Sequence, residues 1–80
     1  LYMTLDQLPI HTYARITLID YSERTLVKRL QALGIRVGKR VYIVRKSLGG
    51  NTIQLRIGTT DVVIRKGPAV HIHVEPTVSA

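Results

Sequence analysis

The chain has 80 residues, of which 12 are Lys or Arg and 5 are Asp or Glu, giving a formal net charge of +7. This length predicts one small domain over residues 1–80. The absence of cysteine excludes disulfides, thiol nucleophiles and zinc sites built on thiolates. The longest apolar run, Val41–Val44, is far shorter than the roughly 20 residues that cross a bilayer, so we expect no membrane insertion.

The first twenty residues predict a short helical turn and one strand. Thr4–Gln7 has the capping-box pattern, with Thr at the cap position and Gln three residues later. Residues 13–19 alternate in polarity as a strand does. The face expected to turn inward carries Ala14, Ile16 and Leu18.

Residues 22–33 predict the helix of the chain. Ser22 is a favourable N-cap, and Gly34 suits the position just after the helix, where left-handed backbone is common. An apolar stripe with helical spacing is formed by Leu26, Leu30 and Leu33. We expect this stripe to cover one open end of a small β structure.

The second half of the chain predicts strands separated by tight turns. Residues 40–46 are rich in strand-forming residues, but either Val41 and Ile43 or Tyr42 and Val44 can form the inner face. The following Gly-rich segment, residues 48–51, predicts a turn.

The next two strands, around residues 53–57 and 61–65, form a predicted hairpin. We expect Ile57 to pair with Val62 and Leu55 with Ile64, so that these side chains point inward together. A short connection at residues 66–69 then leads to a last strand at residues 70–75, followed by a frayed end. The order of elements predicts a mainly β fold, a five-stranded small barrel with one α-helix between the first and second strands.

This pattern resembles the FeoA family from about Leu5 to Val74. The resemblance implies an SH3-like barrel and a small cytoplasmic protein that binds FeoB, the ferrous-iron transporter, and modulates it. It implies neither an enzyme nor a cofactor. The same kind of domain also ends some metal-dependent repressors, so a regulatory module of a longer chain is an alternative. The segments that carry the resemblance are Leu33-Gly34-Ile35, Gly38, Gly49-Gly50, Gly58 and Val62–Arg65.

Metal binding and catalysis have little support in the sequence. His71, His73 and Glu75 alternate along the last predicted strand and could in principle hold a divalent ion, but no second cluster supplies further ligands. We therefore expect no metal site and no catalytic residue. His11 is isolated and is expected at the surface.

The positive charge favours an acidic partner, and its most continuous stretch lies on and just after the helix. An alternative is a basic barrel that binds nucleic acid, in which Tyr42 lies among the clustered cations Arg36, Lys39, Arg40, Arg45 and Lys46. Single-strand binders usually present several stacking aromatic residues, and Phe and Trp are absent, so nucleic acid is disfavoured. Self-association stays open. The predicted partner-binding residues are Arg24, Lys28, Arg29, Arg36 and Lys39.

Overall fold

The computed structural model describes residues 3–20 and 24–77, and these residues form one antiparallel sheet of six strands. The strands are β1 (Met3–Thr4), β2 (Tyr13–Ile19), β3 (Arg40–Lys46), β4 (Thr52–Ile57), β5 (Thr60–Arg65) and β6 (Ile72–Thr77). The helices are α1 (Arg24–Ala32), between β2 and β3, and a short α2 (Lys66–Ala69). Single turns of 3₁₀ helix lie at Leu5–Gln7 and Leu48–Gly50.

The strand order is β1-β6-β2-β3-β4-β5. The predicted mainly β barrel with a helix after its first long strand is confirmed, with β1 as a sixth strand that the sequence did not reveal. This two-residue strand pairs with β6 through Met3 opposite Val74 and Thr4 opposite His73. The predicted capping box is present just after it, since the Thr4 backbone N–H donates to Gln7 Oε1 at 2.9 Å.

One hydrophobic core lies inside the curved sheet. The long strands, α1, the segment Leu5–Leu8 and Ala69 of α2 contribute to the same cluster, which is the arrangement of a small barrel rather than of a flat sheet. The fully buried large side chains are Leu5, Leu8, Ile16, Ile35, Val41, Ile43, Ile53, Leu55, Ile72 and Val74. The ambiguity in β3 is thereby resolved, with Val41 and Ile43 on the inner face.

A β-bulge in β2 corrects the predicted inner face of that strand. Ala14 and Ile16 are buried as expected, but Leu18 is 53% exposed. The register between β2 and β6 shifts between Ile16 and Leu18, and beyond the shift Ile19 packs against the core. The extra residue of a bulge reverses which side chains face inward, and this is why strict alternation failed here.

The end of α1 follows its sequence closely. The Gly34 N–H donates to Gln31 O at 3.0 Å and the Ile35 N–H to Leu30 O at 2.9 Å, which is the Schellman motif. Gly34 adopts a φ of +91°, as this motif requires. The predicted stripe is narrower than expected, because Leu33 lies beyond the helix and is 41% exposed. The predicted N-cap, Ser22, lies outside the described residues.

The β4–β5 hairpin has a different register from the predicted one. Leu55 pairs with Val62 and Ile53 with Ile64, while Ile57 lies opposite Thr60. The loop therefore contains only two residues, Gly58 and Thr59, and the φ of Gly58 is +62°. Glycine at the first position of a two-residue loop allows this tight reversal, and the shorter loop moves the pairing by two residues.

The last segment also differs in its details. The predicted connection at residues 66–69 forms the helical turn α2, and β6 begins at Ile72 rather than at Val70, which is exposed. Pro76 and Thr77 belong to β6 and pair with β2 instead of fraying. Residues 78–80 of the predicted frayed end lie outside the described residues.

Candidate protein-interaction surface

The five predicted partner-binding cations are all exposed. Three of them, Arg24, Lys28 and Arg29, lie on α1, whose contribution to the buried core is Leu30. Within residues 3–20 and 24–77, none of the five forms an ion pair with a carboxylate. Their charges are therefore open to a partner.

The segment after α1 is attached to β2 by backbone hydrogen bonds. The Gly38 N–H donates to Ile16 O at 2.7 Å, and the Ile16 N–H donates to Lys39 O at 2.9 Å. The Lys39 N–H donates to Arg36 O at 3.1 Å, which closes the turn. The backbone of Lys39 is thus held beside β2, and its position is set by the sheet rather than by the helix.

Lys39 borders a concave groove of about 430 Å³ on the outside of the sheet, across β2, β3 and β4. Of the five predicted partner-binding residues, Lys39 lines this groove, whereas the three cations of α1 and Arg36 do not. We call it the tyrosine–arginine groove. Its defining residues are Tyr13, Arg15, Lys39, Arg40, Tyr42 and Arg56.

Strand register brings these side chains together. Tyr13 lies opposite Tyr42, and their ring centroids are 4.7 Å apart. Arg15 lies directly opposite Arg40 in the same ladder. On the other side of β3, Tyr42 lies opposite Arg56. The result is an aromatic pair with guanidinium groups beside it, on three neighbouring strands.

One cation of the groove is already neutralised. Arg56 Nε donates to Asp61 Oδ1 at 2.7 Å and Arg56 Nη2 donates to Asp61 Oδ2 at 3.3 Å, while Gln54 Nε2 donates to the same Oδ2 at 3.1 Å. The hydrogen bond from Arg56 lowers the pKa of Asp61, and the same hydrogen bond raises the pKa of Arg56. Among the described residues, Arg56 and Asp61 form the only ion pair between side chains.

Tyr13, Arg15 and Arg56 are not among the site residues that the sequence predicts. Tyr13 and Arg15 are two positions apart on the outer face of β2, where they alternate with the buried Ala14 and Ile16. This spacing was a signal that could have found two of the three residues. Their meeting with β3 depends on a ladder between segments far apart in the chain, and one sequence does not fix that register.

The basic cluster considered for nucleic acid is divided in the structure. Lys39, Arg40 and Tyr42 line the groove, whereas Arg36 does not. Lys46 Nζ instead donates to the backbone oxygen of Asp6 at 2.9 Å. Arg45 borders a separate depression of about 140 Å³. These residues therefore do not form one continuous basic track.

The histidines give no metal centre in the described residues. His71 precedes β6 and His73 is half-buried within it, and in residues 3–20 and 24–77 no group of three or more His, Asp or Glu is placed to hold a metal ion. His11 is exposed, as predicted, and its ring stacks on Tyr42 with centroids 6.1 Å apart.

The family model of the FeoA domain matches residues 3–76. The chain belongs to the FeoA family. Iron(II) transport protein A of Clostridium thermocellum is 31% identical with a TM-score of 0.88, and the match covers 94% of this chain but 46% of that protein. The zinc-complexed FeoA of Stenotrophomonas maltophilia, an SH3 domain protein, is 32% identical with a TM-score of 0.77, covering 91% of this chain and 89% of that one. FeoA proteins are thereby linked to iron(II) transport, and the barrel of this FeoA domain is SH3-like.

The FeoA fold also occurs in a different class of protein. A manganese-dependent transcriptional repressor matches with a TM-score of 0.88 over 95% of this chain and 41% of its own length. Its sequence identity of 14% shows a shared fold alone. A search of curated proteins gave no match. In the described residues of this FeoA domain, no helix has the length and apolar character needed to span a membrane.

Proposed function

We propose that this chain is a non-enzymatic accessory of ferrous-iron uptake that binds the cytosolic part of the transporter FeoB in the cytoplasm and modulates it. The observation that carries the proposal is the family match over residues 3–76, together with relatives named for iron(II) transport. The small SH3-like barrel agrees with a binding role.

The charge distribution supports an acidic partner surface. Arg24, Lys28 and Arg29 project from α1 into solvent, with Arg36 and Lys39 exposed just beyond the helix. Positive charge on one element speeds encounter with an acidic patch, and this effect weakens as salt rises. We propose these five residues as the contact surface for the transporter.

The test is a calorimetric titration of the chain with the cytosolic domain of FeoB at low and at raised salt. Lys28→Glu combined with Arg29→Glu should weaken binding by about tenfold, because it reverses two exposed charges of the surface. The matched control is Arg65→Glu with Lys66→Glu, which changes the net charge equally at exposed positions away from α1. Absence of binding by the unaltered chain at low salt would overturn the proposal.

A further inference from the structure

We propose that the tyrosine–arginine groove binds an acidic peptide segment of a partner protein. Carboxylates of the segment pair with Arg15 and Arg40, and its apolar side chains lie against Tyr13 and Tyr42. This deepens the proposed function by naming the chemistry of the partner segment. It rests on that function only for the identity of the protein that carries the segment.

The first observation is a pair of like charges that forms no ion pair, although Arg15 also lies opposite Glu75 in the β2–β6 ladder. Arg15 and Arg40 are direct partners in the β2–β3 ladder, and Lys39 precedes Arg40 at the same edge of the groove. In residues 3–20 and 24–77, no carboxylate forms an ion pair with any of the three. Like charges directly opposite one another destabilise a strand pair. A bound carboxylate reduces the repulsion between the two guanidinium groups. The relief of this repulsion contributes to the free energy of binding.

The second observation is the ion pair inside the groove itself. Arg56 and Asp61 show that a guanidinium on this face can hold a carboxylate through two of its nitrogens. Planar guanidinium groups recognise carboxylates in this forked geometry, and such bonds are stronger than neutral ones. Since Asp61 occupies Arg56, the forks of Arg15 and Arg40 are the ones available for a ligand.

The aromatic residues favour a peptide over a single-stranded nucleic acid. Tyr42 already contacts two rings, that of His11 at an interplanar angle of 12° and that of Tyr13 at 46°. Stacking of a base needs a free ring face, and stacking is what single-strand binders rely on. Tyr13 and Tyr42 line the groove together with Arg15 and Arg40, and this combination suits a short extended segment that carries both apolar and acidic side chains. The groove volume of about 430 Å³ lies within the usual range for ligand sites.

The probe is a blocked eight-residue peptide that carries two glutamates two positions apart and a valine two positions after the second glutamate, so that all three side chains share a face. The control peptide has glutamines instead of the glutamates. In an extended peptide, side chains two positions apart share a face with a spacing of about 7 Å, so both carboxylates can reach the groove. We expect the unaltered chain to bind the glutamate peptide at least about tenfold more tightly than the glutamine peptide, as measured by backbone amide NMR titration. The amide shifts should concentrate at the groove.

Two charge-matched double variants separate the groove from general electrostatics. Arg15→Gln with Arg40→Gln should weaken peptide binding at least about tenfold. Arg65→Gln with Lys66→Gln removes the same charge at exposed positions outside the groove and should leave the affinity within about twofold. A thermal unfolding curve for each variant verifies that both remain folded.

The outcomes decide the proposal in both directions. Equal binding of the two peptides, or equal loss in both double variants, would overturn it. Binding of a single-stranded oligonucleotide that depends on Arg15 and Arg40, with no binding of either peptide, would overturn it in favour of nucleic acid. If the FeoB cytosolic domain does not bind but the glutamate peptide does, the groove stands and the proposed function fails. If the domain binds and the Arg15/Arg40 variant binds it equally well, the proposed function stands and the groove proposal fails.

Discussion

Arg15 and Arg40 face each other across the β2–β3 ladder, and neither forms an ion pair within the described residues, although Arg15 also lies opposite Glu75 in the β2–β6 ladder. The neighbouring row of the same ladder pairs Tyr13 with Tyr42, so the charged and aromatic pairs lie side by side on the outer surface. Like charges directly opposite one another destabilise a strand pair. The arrangement fits a surface on which a ligand adds to the negative charge that Glu75 supplies beside Arg15.

Reversing one charge of this pair should therefore increase stability and abolish peptide binding. In Arg40→Glu, the new carboxylate lies opposite Arg15, and we expect the free energy of unfolding to rise by about 0.2 to 1 kcal/mol. Urea denaturation measures the stability, and titration with the glutamate peptide measures the binding. A loss of stability in this variant would contradict the assignment of the pair as repulsive.

The groove also shows where prediction from this sequence ends. The bounds of β2 follow from local alternation and those of β3 from its run of strand-forming residues, because these signals act within a few residues. The end of α1 follows in the same way from Gly34 and Ile35. The bulge before Leu18 and the two-residue loop at Gly58 do not follow from alternation, and each changes which residues meet.

The candidate contact residues also include some that the sequence predicts and others that it does not. Exposure of Lys28 and Arg29 on α1 follows from the helical period, and it was predicted. The groove needs Arg15 and Arg56 on opposite sides of β3, brought there by two separate ladders. Register over such separations depends on bulges and loops that composition does not reveal. Local patterns thus gave the elements, and tertiary pairing created the groove.

The attachment of α1 to the barrel should depend on Leu30. This side chain is 2% exposed and belongs to the core, whereas Leu33 is 41% exposed. Leu30→Ala should lower the free energy of unfolding by about 2 to 5 kcal/mol, because it leaves a cavity in the core. Leu33→Ala, the matched control, should lower it by less than about 1 kcal/mol. Chemical denaturation of both variants measures the difference, and equal effects would show that α1 is held by other contacts.

The turn after α1 should depend on glycine at position 34 for conformational reasons. A Cβ added at Gly34 would meet its nearest atom, Ile57 Cγ2, at 4.0 Å, so space is not the obstacle. The φ of +91° is the obstacle, because a residue with a Cβ is strained there. Gly34→Ala should therefore lower the free energy of unfolding by about 1 kcal/mol or more.

The control for Gly34 is Gly67→Ala. Gly67 lies in α2 without a positive φ and with open space around its Cβ position. Alanine there should be neutral or stabilising by up to about 1 kcal/mol. Thermal unfolding midpoints of the two variants compare them directly. Similar midpoints would mean that the Schellman turn tolerates alanine by rearranging.

The ion pair between Arg56 and Asp61 predicts an acid-sensitive contribution to stability. The hydrogen bond from Arg56 lowers the pKa of Asp61 below 3.8, so the unfolded chain binds more protons at this site than the folded chain between the two pKa values. The contribution is therefore complete above pH 3.8 and is lost as the pH falls through the lowered value.

Asp61→Asn should be less stable than the unaltered chain at neutral pH, and the two should converge in strong acid. Thermal unfolding across the acid range measures the convergence, and Arg56→Gln, which removes the donor, should flatten the same pH dependence. A stability difference that stays constant at every pH would show that Asp61 acts through something other than its charge.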